Sequence, residues 1–245
     1  MELLQVNITI CRTRRSMCGR ASLTHLESEL EERFQATFYT EDIARYNPLP
    51  SYNIAPTHVL PVISMDDKKH FLPAAWGWNI NSPVPFMINA QIEQINTKKM
   101  FAKYLDYHRC IIPMDGYYEW VKKDKQKIPY RIVCTDRSLF GVAGLVKEEK
   151  SKSGESELHF VVITRPAEPS IAWLHERMPL ILTEEWEQKW LDGEFEEKWM
   201  EILSEQMAYN LKVYPVSSLV NSVKNNSTDL ISPQSVDNYI QGDLF

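Results

Sequence analysis

The chain has 245 residues, of which 44% are hydrophobic and 24% charged, a composition that supports a full hydrophobic core and excludes wholesale disorder. Its longest apolar run, residues 139–146, is too short to span a membrane, and near the N-terminus apolar residues precede the arginines, which reverses the order of a secretory signal. The 4 cysteines lack the paired spacing of zinc or redox motifs. We therefore expect a cytoplasmic protein without a metal or another cofactor.

Acidic residues are unevenly distributed along the chain. The net charge is −6, which by itself disfavours a nucleic-acid-binding protein. Residues 184–205, however, contain 9 acidic residues and 2 lysines, so the rest of the chain is close to neutral. A basic groove elsewhere on the surface is compatible with this distribution.

The first predicted helix begins just after Leu23. Thr24 and Glu27 have the spacing of a capping box, in which each side chain bonds the backbone N–H of the other residue. An apolar stripe at helical spacing follows, formed by Leu26, Leu30 and Phe34. Proline-punctuated segments between residues 46 and 56 then favour an ordered loop.

Strands are predicted where β-branched and aromatic residues cluster between turn residues, and they favour a mostly antiparallel sheet. We expect a helical segment between Ile88 and Lys98, and a solvated polar loop over residues 147–157. A further helix begins after Thr183 and breaks at Gly193. The predicted strands cover residues 59–63, 71–78, 110–114, 130–134, 139–146, 158–164 and 211–216.

The dipeptide Met17-Cys18 carries the most specific chemical signal. If Met17 were the start and were then removed, Cys18 would present a thiol beside a free α-amine. An α-amine has a pKa near 8, so about a tenth of it is unprotonated at neutral pH, far more than of a lysine. Such an amine attacks aldehydes, and the thiol can close onto the imine to form a thiazolidine. Sixteen residues precede Met17 in this chain, however.

Four other residues are candidates for a site. Glu119 lies among aromatic residues that would raise the pKa of its carboxyl, although a strand-end glutamate facing water is the plainer alternative. His175 precedes a proline-fixed loop and could equally be a surface group, while Asn89 could be a simple turn or cap residue. Trp76 borders a glycine at a strand end, where it would be either a core residue or a platform for base stacking.

Six separated motifs, taken together and in order, resemble the SOS response-associated peptidase (SRAP) family of abasic-site processing proteins. The resemblance extends from Met17 to about Val223. It is carried by Cys-Gly-Arg after methionine, Tyr-Asn-Ile-Ala-Pro, Trp-Gly-Trp, Ile-Asn-Ala, Asp-Gly-Tyr-Tyr-Glu-Trp and His-Glu-Arg-Met-Pro.

The resemblance implies a single α+β domain with a curved, mostly antiparallel sheet or barrel-like core flanked by helices. It also implies a reaction of the N-terminal cysteine with the aldehyde of an abasic site in single-stranded DNA, which leaves a covalent crosslink that shields the lesion. The implied catalytic residues are Cys18, Asn89, Glu119 and His175, and the implied DNA contacts are Arg20, Asn53, Pro56, Trp76 and Arg177. Gln91 stands where many members have arginine, so one phosphate contact is expected to lose its charge.

The domain organisation that follows has three parts. Residues 1–17 form an extension that is absent from or removed in the active form, residues 18–225 form the SRAP domain, and residues 226–245 form a polar tail. We expect a monomer that binds single-stranded DNA containing abasic sites and has no membrane partner.

Alternatives to this function remain open from the sequence. Strand scission through the same imine and processing of the protein's own N-terminus are further activities that the family suggests. A cysteine peptidase or amidohydrolase would use Cys18 as nucleophile and His175 as base. A module that binds single strands without covalent chemistry would need Cys18 only for structure.

Overall fold

A computed structural model of the protein describes residues 18–79, 86–123, 126–151, 154–206 and 209–235. Its helices are α1 (Glu27–Phe34), α2 (Lys99–Leu105), α3 (Glu184–Asp192) and α4 (Lys198–Glu201). Its strands are β1 (Ala21–Leu23), β2 (Thr37–Phe38), β3 (Ser51–Ile54), β4 (Val59–Ser64), β5 (His70–Trp76), β6 (Trp78–Asn79), β7 (Phe86–Met87), β8 (Asn89–Gln91), β9 (Arg109–Met114), β10 (Gly116–Lys123), β11 (Gln126–Cys134), β12 (Phe140–Lys150), β13 (Ser156–Pro166), β14 (Arg177–Pro179) and β15 (Leu211–Pro215).

Five strands close into a barrel in the order β13, β12, β9, β4 and β5. Neighbours are antiparallel except at the closing pair, where β5 runs parallel to β13 with Ala74 opposite Leu158 and Trp76 opposite Phe160. Closure pairs strand edges that would otherwise remain open to other chains. The main hydrophobic core is formed largely by residues of these strands, including Val62, Ile112 and Val161.

A second antiparallel sheet, in the order β15, β11, β10, β1 and β3, carries the segments that flank Cys18 and Glu119. The barrel strand β9 leads into β10 through Asp115, whose N–H donates to the carbonyl of Ser22 at 3.1 Å. With helices few and short, the architecture is α+β, and the predicted antiparallel, barrel-like fold class is confirmed.

The strands predicted from the sequence are found, but the polar loop predicted over residues 147–157 is wrong. Strands β12 and β13 continue through most of it as a hairpin, with Lys147 opposite His159 and Lys150 opposite Ser156. Lys147 also forms an ion pair with Glu149 at 2.8 Å. Charged residues here occupy a ladder that extends beyond the core, so they lack the apolar alternation that would mark a strand.

The predicted first helix is confirmed as α1, but its predicted cap is wrong. The N–H of Thr24 donates to Asp115 at 2.6 Å, and the hydroxyl of Thr24 binds the same carboxylate. The N–H of Leu26 instead donates to Glu29 Oε2 at 2.8 Å. A buried carboxylate requires hydrogen-bond donors, so the tertiary contact displaces the local one.

The structure adds detail to two further segments. The segment after Ile88 begins as β8, parallel to β13, and the helical part expected before Lys98 is present as a short 3-10 turn at Ile92–Gln94. Within the region predicted to be a polar tail, Leu230 is fully buried against Tyr118 and its neighbours. Among the described residues, no helix is long and apolar enough to cross a membrane.

Candidate active site

Cys18 lies three residues before the start of β1 and is almost completely buried, with 2% of its surface exposed. Its backbone N–H donates to Glu119 Oε1 at 2.8 Å. Its φ of 45° lies in the left-handed region, which costs a non-glycine residue about 1–3 kcal/mol and which proteins tolerate mainly at functional sites. The structure thus holds the nitrogen of Cys18 against a carboxylate in a strained position.

Glu119 occupies the middle of β10, a strand that the sequence did not predict. Because side chains alternate along a strand, Glu119 faces the same side as the buried Tyr117. Burial raises the pKa of the Glu119 carboxyl above its usual value of 4.5, and the nearby His175 and the hydrogen bond from Cys18 oppose that rise. A carboxyl in this setting is suited to exchange a proton with the Cys18 nitrogen.

The thiol of Cys18 is in a setting that keeps it protonated. Burial raises its pKa well above the usual range, the Glu119 carboxylate raises it further, and Arg177 lowers it to a smaller extent. The thiol donates to the carbonyl oxygen of Arg177 at 3.9 Å. Reactive thiolates usually lie in electropositive surroundings with a lowered pKa, which is the opposite of this environment.

His175 and Arg177 reach the site on the segment that leads into β14. The N–H of Arg177 lies 3.0 Å from His175 Nδ1, and the carbonyl oxygen of Arg177 lies 3.2 Å from the same nitrogen, so the backbone of Arg177 fixes the position of the imidazole. Both guanidinium Nη atoms of Arg177 bind Glu93, at 2.6 and 2.9 Å. This fork-like contact orients the Arg177 side chain within the protein.

Asn89 lies on β8 and is half-buried. It pairs with Val162 of β13, and two residues further along that strand Thr164 pairs with Pro179 of β14. The ladder therefore places Asn89 on one flank of β13 and the His175 segment on the other. The structure brings Cys18, Glu119, His175 and Arg177 together through contacts, and Asn89 to the neighbouring strand.

Arg20 and Asn53 form one network next to Cys18. Arg20 Nη1 donates to Asn53 Oδ1 at 2.6 Å and to the carbonyl of Val220 at 2.5 Å. The guanidinium of Arg20 also lies 5.6 Å from the ring centre of Trp120. Asn53 is only 1% exposed, so its side chain binds the protein's own backbone and is not on the surface.

Trp76 belongs to the core. Its ring is 1% exposed, stacks on Phe160 with centres 6.0 Å apart, and donates from Nε1 to the carbonyl of Ile88 at 3.0 Å. A ring this buried has no free face for a base, so Trp76 is a core residue and not a platform for base stacking.

Pro56 is half-buried and precedes Thr57, whose φ of 79° marks a tight turn.

Comparison with known proteins decides the family. The family model for SOS response associated peptidase (SRAP) matches residues 17–223. The chain belongs to the SOS response-associated peptidase family. Abasic site processing protein YoqW of Bacillus subtilis (strain 168) is 35% identical to this chain over 224 residues, which is 88% of this chain and 99% of that protein.

Other relatives of this SRAP protein agree. Abasic site processing protein YedK of Escherichia coli (strain K12) is 31% identical over 231 residues, covering 89% of this chain and 100% of that protein. A crystal structure of a protein from Bacteroides thetaiotaomicron has a TM-score of 0.74 at 21% identity, covering 89% of this chain and 100% of that one. At this identity the structural match supports the shared fold alone.

Two contributors to the SRAP site were missed in the sequence. Glu93 holds Arg177, and its only sequence signal is its position four residues after Asn89. Asp115 forms a buried ion pair with Arg131 at 2.9 Å directly before β10. Gly116 permits this pair, because a Cβ there would lie 2.8 Å from Arg131 Nε. In the Asp-Gly-Tyr-Tyr-Glu-Trp motif, the Asp-Gly pair therefore stabilises the start of the strand that carries Glu119.

Asn53 is expected to contribute to stability more than to substrate contact. Its amide lies within hydrogen-bond distance of the carbonyls of Ser222 (2.9 Å) and Asn225 (2.8 Å). Asn53→Ala removes both of these hydrogen bonds and one of the two acceptors of Arg20 Nη1, so we expect the free energy of unfolding to fall by about 2–3 kcal/mol in urea denaturation. The control Asn225→Ala removes a more exposed amide that donates to Leu219, and it should change stability much less. Equal effects of the two variants would contradict this role.

Proposed function

We propose that this protein captures abasic sites in single-stranded DNA covalently, through the α-amine and thiol of Cys18. The observation that carries the proposal is the 2.8 Å hydrogen bond from the Cys18 nitrogen to Glu119 Oε1, in a site where both residues are buried. The names of the relatives YoqW and YedK, both abasic site processing proteins, support the choice of substrate. A single strand suits a buried nucleophile, because no base pair has to open before the sugar can enter.

The proposed reaction begins with the ring-opened deoxyribose, which presents an aldehyde at C1′. Glu119 takes a proton from the α-amine of Cys18, the nitrogen attacks C1′, and loss of water gives an imine. The thiol then adds to the imine carbon, its proton passes to nitrogen, and a five-membered thiazolidine forms. The balance is one aldehyde and one aminothiol giving one thiazolidine and one water.

Other residues of the family motifs have supporting parts in this proposal. His175 supplies a proton to the departing oxygen, and Asn89 holds the opened sugar. Arg20 and Arg177 contribute positive charge near the DNA backbone, although both are also hydrogen-bonded within the protein. Pro56 lines the path of the bound DNA strand.

Scission of the DNA strand by elimination from the imine is a branch of the same chemistry. All of these groups come from one chain, so a monomer is sufficient for the proposed reaction.

The proposal requires Cys18 to become the first residue. While Cys18 is joined to the residue before it, its nitrogen is an amide and cannot form the imine. Removal of residues 1–17, by initiation at Met17 and excision of that methionine or by cleavage, would also abolish the strained φ of Cys18. Self-processing is one route to that end. Intact-mass analysis of the protein from its native host should give a chain that starts at Cys18.

Two observations favour this chemistry over a cysteine peptidase. The pKa of the Cys18 thiol is raised, whereas a peptidase nucleophile needs a readily formed thiolate. The thiol donates to the Arg177 carbonyl, and His175 Nδ1 contacts the backbone of Arg177, so both groups bind Arg177 and not each other. Acetylating the α-amine separates the two mechanisms, because acylation of the thiol needs no free amine.

The direct test uses the mature protein that starts at Cys18. Incubation with a single-stranded oligonucleotide containing one abasic site should give an adduct that survives denaturation. An intact oligonucleotide of the same sequence and a protein with an acetylated α-amine should give none. An adduct that persists after acetylation would rule out the imine route, and absence of any adduct would rule out covalent capture.

A further inference from the structure

Trp173 is the most exposed tryptophan among the residues that the structure describes. It is 39% exposed, whereas Trp76, Trp78 and Trp190 are each at most 1% exposed. Single exposed hydrophobic residues are common on proteins and need no functional explanation. The exposure of Trp173 suggests a function because of where the residue lies.

The turn that carries Trp173 is firmly held. Ile171 and Leu174 on either side are buried, at 4% and 7% exposure. The N–H of Leu174 and the N–H of His175 both donate to the carbonyl of Ile171, at 2.9 and 3.4 Å. The indole Nε1 of Trp173 donates to the carbonyl of Ser170 at 3.0 Å. Because its one polar group is already satisfied, the exposed part of the ring is available only for apolar or stacking contacts.

Trp173 also borders the reactive centre. Its ring lies edge-to-face on Tyr130, with ring centres 5.3 Å apart. Tyr130 is the direct cross-strand partner of Glu119, so both side chains project from the same face of the sheet. On the other side, Trp173 is two residues from His175. The indole is therefore fixed between the segments that position the two proposed proton carriers.

We propose that Trp173 stacks on the base adjacent to the abasic nucleotide. An abasic site lacks one base, so the neighbouring base has lost a stacking partner and exposes one of its faces. A rigid indole beside the reaction centre can replace that partner with little entropic cost, and every base has a face on which it can stack. Trp173 would thereby help to place the lesion at Cys18 and would bind largely independently of sequence. This inference rests on the proposed function and specifies how that site holds its substrate.

Binding is measured separately from the reaction by using a single strand with a tetrahydrofuran residue, which resembles an abasic sugar but has no aldehyde. Trp173→Ala should weaken this binding by about 5- to 100-fold, the usual effect of removing one stacking aromatic, and Trp173→Phe should retain most of it. The matched control is Tyr107→Ala, which removes an aromatic side chain that is 71% exposed after α2. It should leave affinity unchanged.

A fluorescent base identifies the stacked neighbour. With 2-aminopurine placed on the 5′ or the 3′ side of the tetrahydrofuran residue, wild-type protein should quench one position, and Trp173→Ala should remove that quenching. Affinity and quenching unchanged in a folded Trp173→Ala protein would overturn the inference, whether or not wild type forms the crosslink. Failure of wild type to form an adduct with an aldehyde-bearing strand would overturn the proposed function instead. Trp173→Phe shows whether a loss in Trp173→Ala reflects the missing ring or a misfolded turn.

Discussion

Replacing Cys18 by alanine in the mature protein is expected to abolish the stable adduct with abasic DNA. The alanine variant keeps its α-amine and can form an imine, but it has no thiol to close the thiazolidine. Because imines hydrolyse readily, denaturing gels should show only background, and sodium borohydride should recover a reduced adduct. Trapping of the imine would separate the contribution of the amine from that of the thiol.

Two further variants complete this test. Cys18→Ser should behave like Cys18→Ala or give a much less stable ring, because its hydroxyl is a weaker nucleophile than a thiol. Cys110→Ala is the matched control, since it removes another fully buried cysteine, from the barrel strand β9. It should form the adduct as wild type does once its folding has been verified. A stable adduct of Cys18→Ala without borohydride would refute thiazolidine formation.

Glu119→Gln is expected to slow crosslinking by about 100- to 10,000-fold, the range for loss of a positioned proton carrier. Glutamine keeps a carbonyl that can accept a hydrogen bond from the Cys18 nitrogen, but it cannot take up a proton. The rate of adduct formation should be measured by quenched time courses at saturating DNA. Binding to the tetrahydrofuran strand should change little, because the substitution alters proton transfer and not the binding surface.

The pH dependence gives the Glu119 role a second readout. Since burial raises the pKa of Glu119 above 4.5, the crosslinking rate of wild type should begin to rise only above that value. A later rise should reflect the α-amine, whose pKa is near 8. Glu119→Gln should lose the lower rise and keep the upper one. If both rises persist in the variant, Glu119 is not the group that accepts the proton.

The same pKa shift predicts an effect on folding. A carboxyl with a raised pKa in the folded protein binds more protons there than in the unfolded chain, over the window between 4.5 and its raised value. The contribution of the Glu119 carboxyl to the free energy of unfolding is therefore complete below pH 4.5 and is lost as the pH rises through that window. Denaturation of Glu119→Gln across the same pH range should lack this decline, while Glu148→Gln in the β12 ladder should retain it.

Much of the fold could be predicted from the sequence because its core strands are locally distinct. Strands such as 110–114 and 158–164 are apolar runs bounded by turn residues, and they form β9 and the centre of β13. The helix after Thr183 was also predicted correctly, and the Thr183 hydroxyl accepts from the N–H of Trp186 at 3.3 Å. The errors lie where local signals compete with distant ones, as at Thr24, whose hydroxyl binds Asp115 instead of capping α1.

By itself the sequence determined which residues can carry chemistry: a cysteine after methionine, the Glu of β10 and the His before β14 lie in motifs that resemble one family. Only the tertiary structure decided their environment, because burial depends on segments far apart in the chain. It placed the Cys18 nitrogen on Glu119, 101 residues away, and bound Arg177 to Glu93, 84 residues away. It also buried Trp76 against Phe160 and left Trp173 exposed beside Tyr130. The residues next to each tryptophan in the sequence do not predict which of the two is exposed.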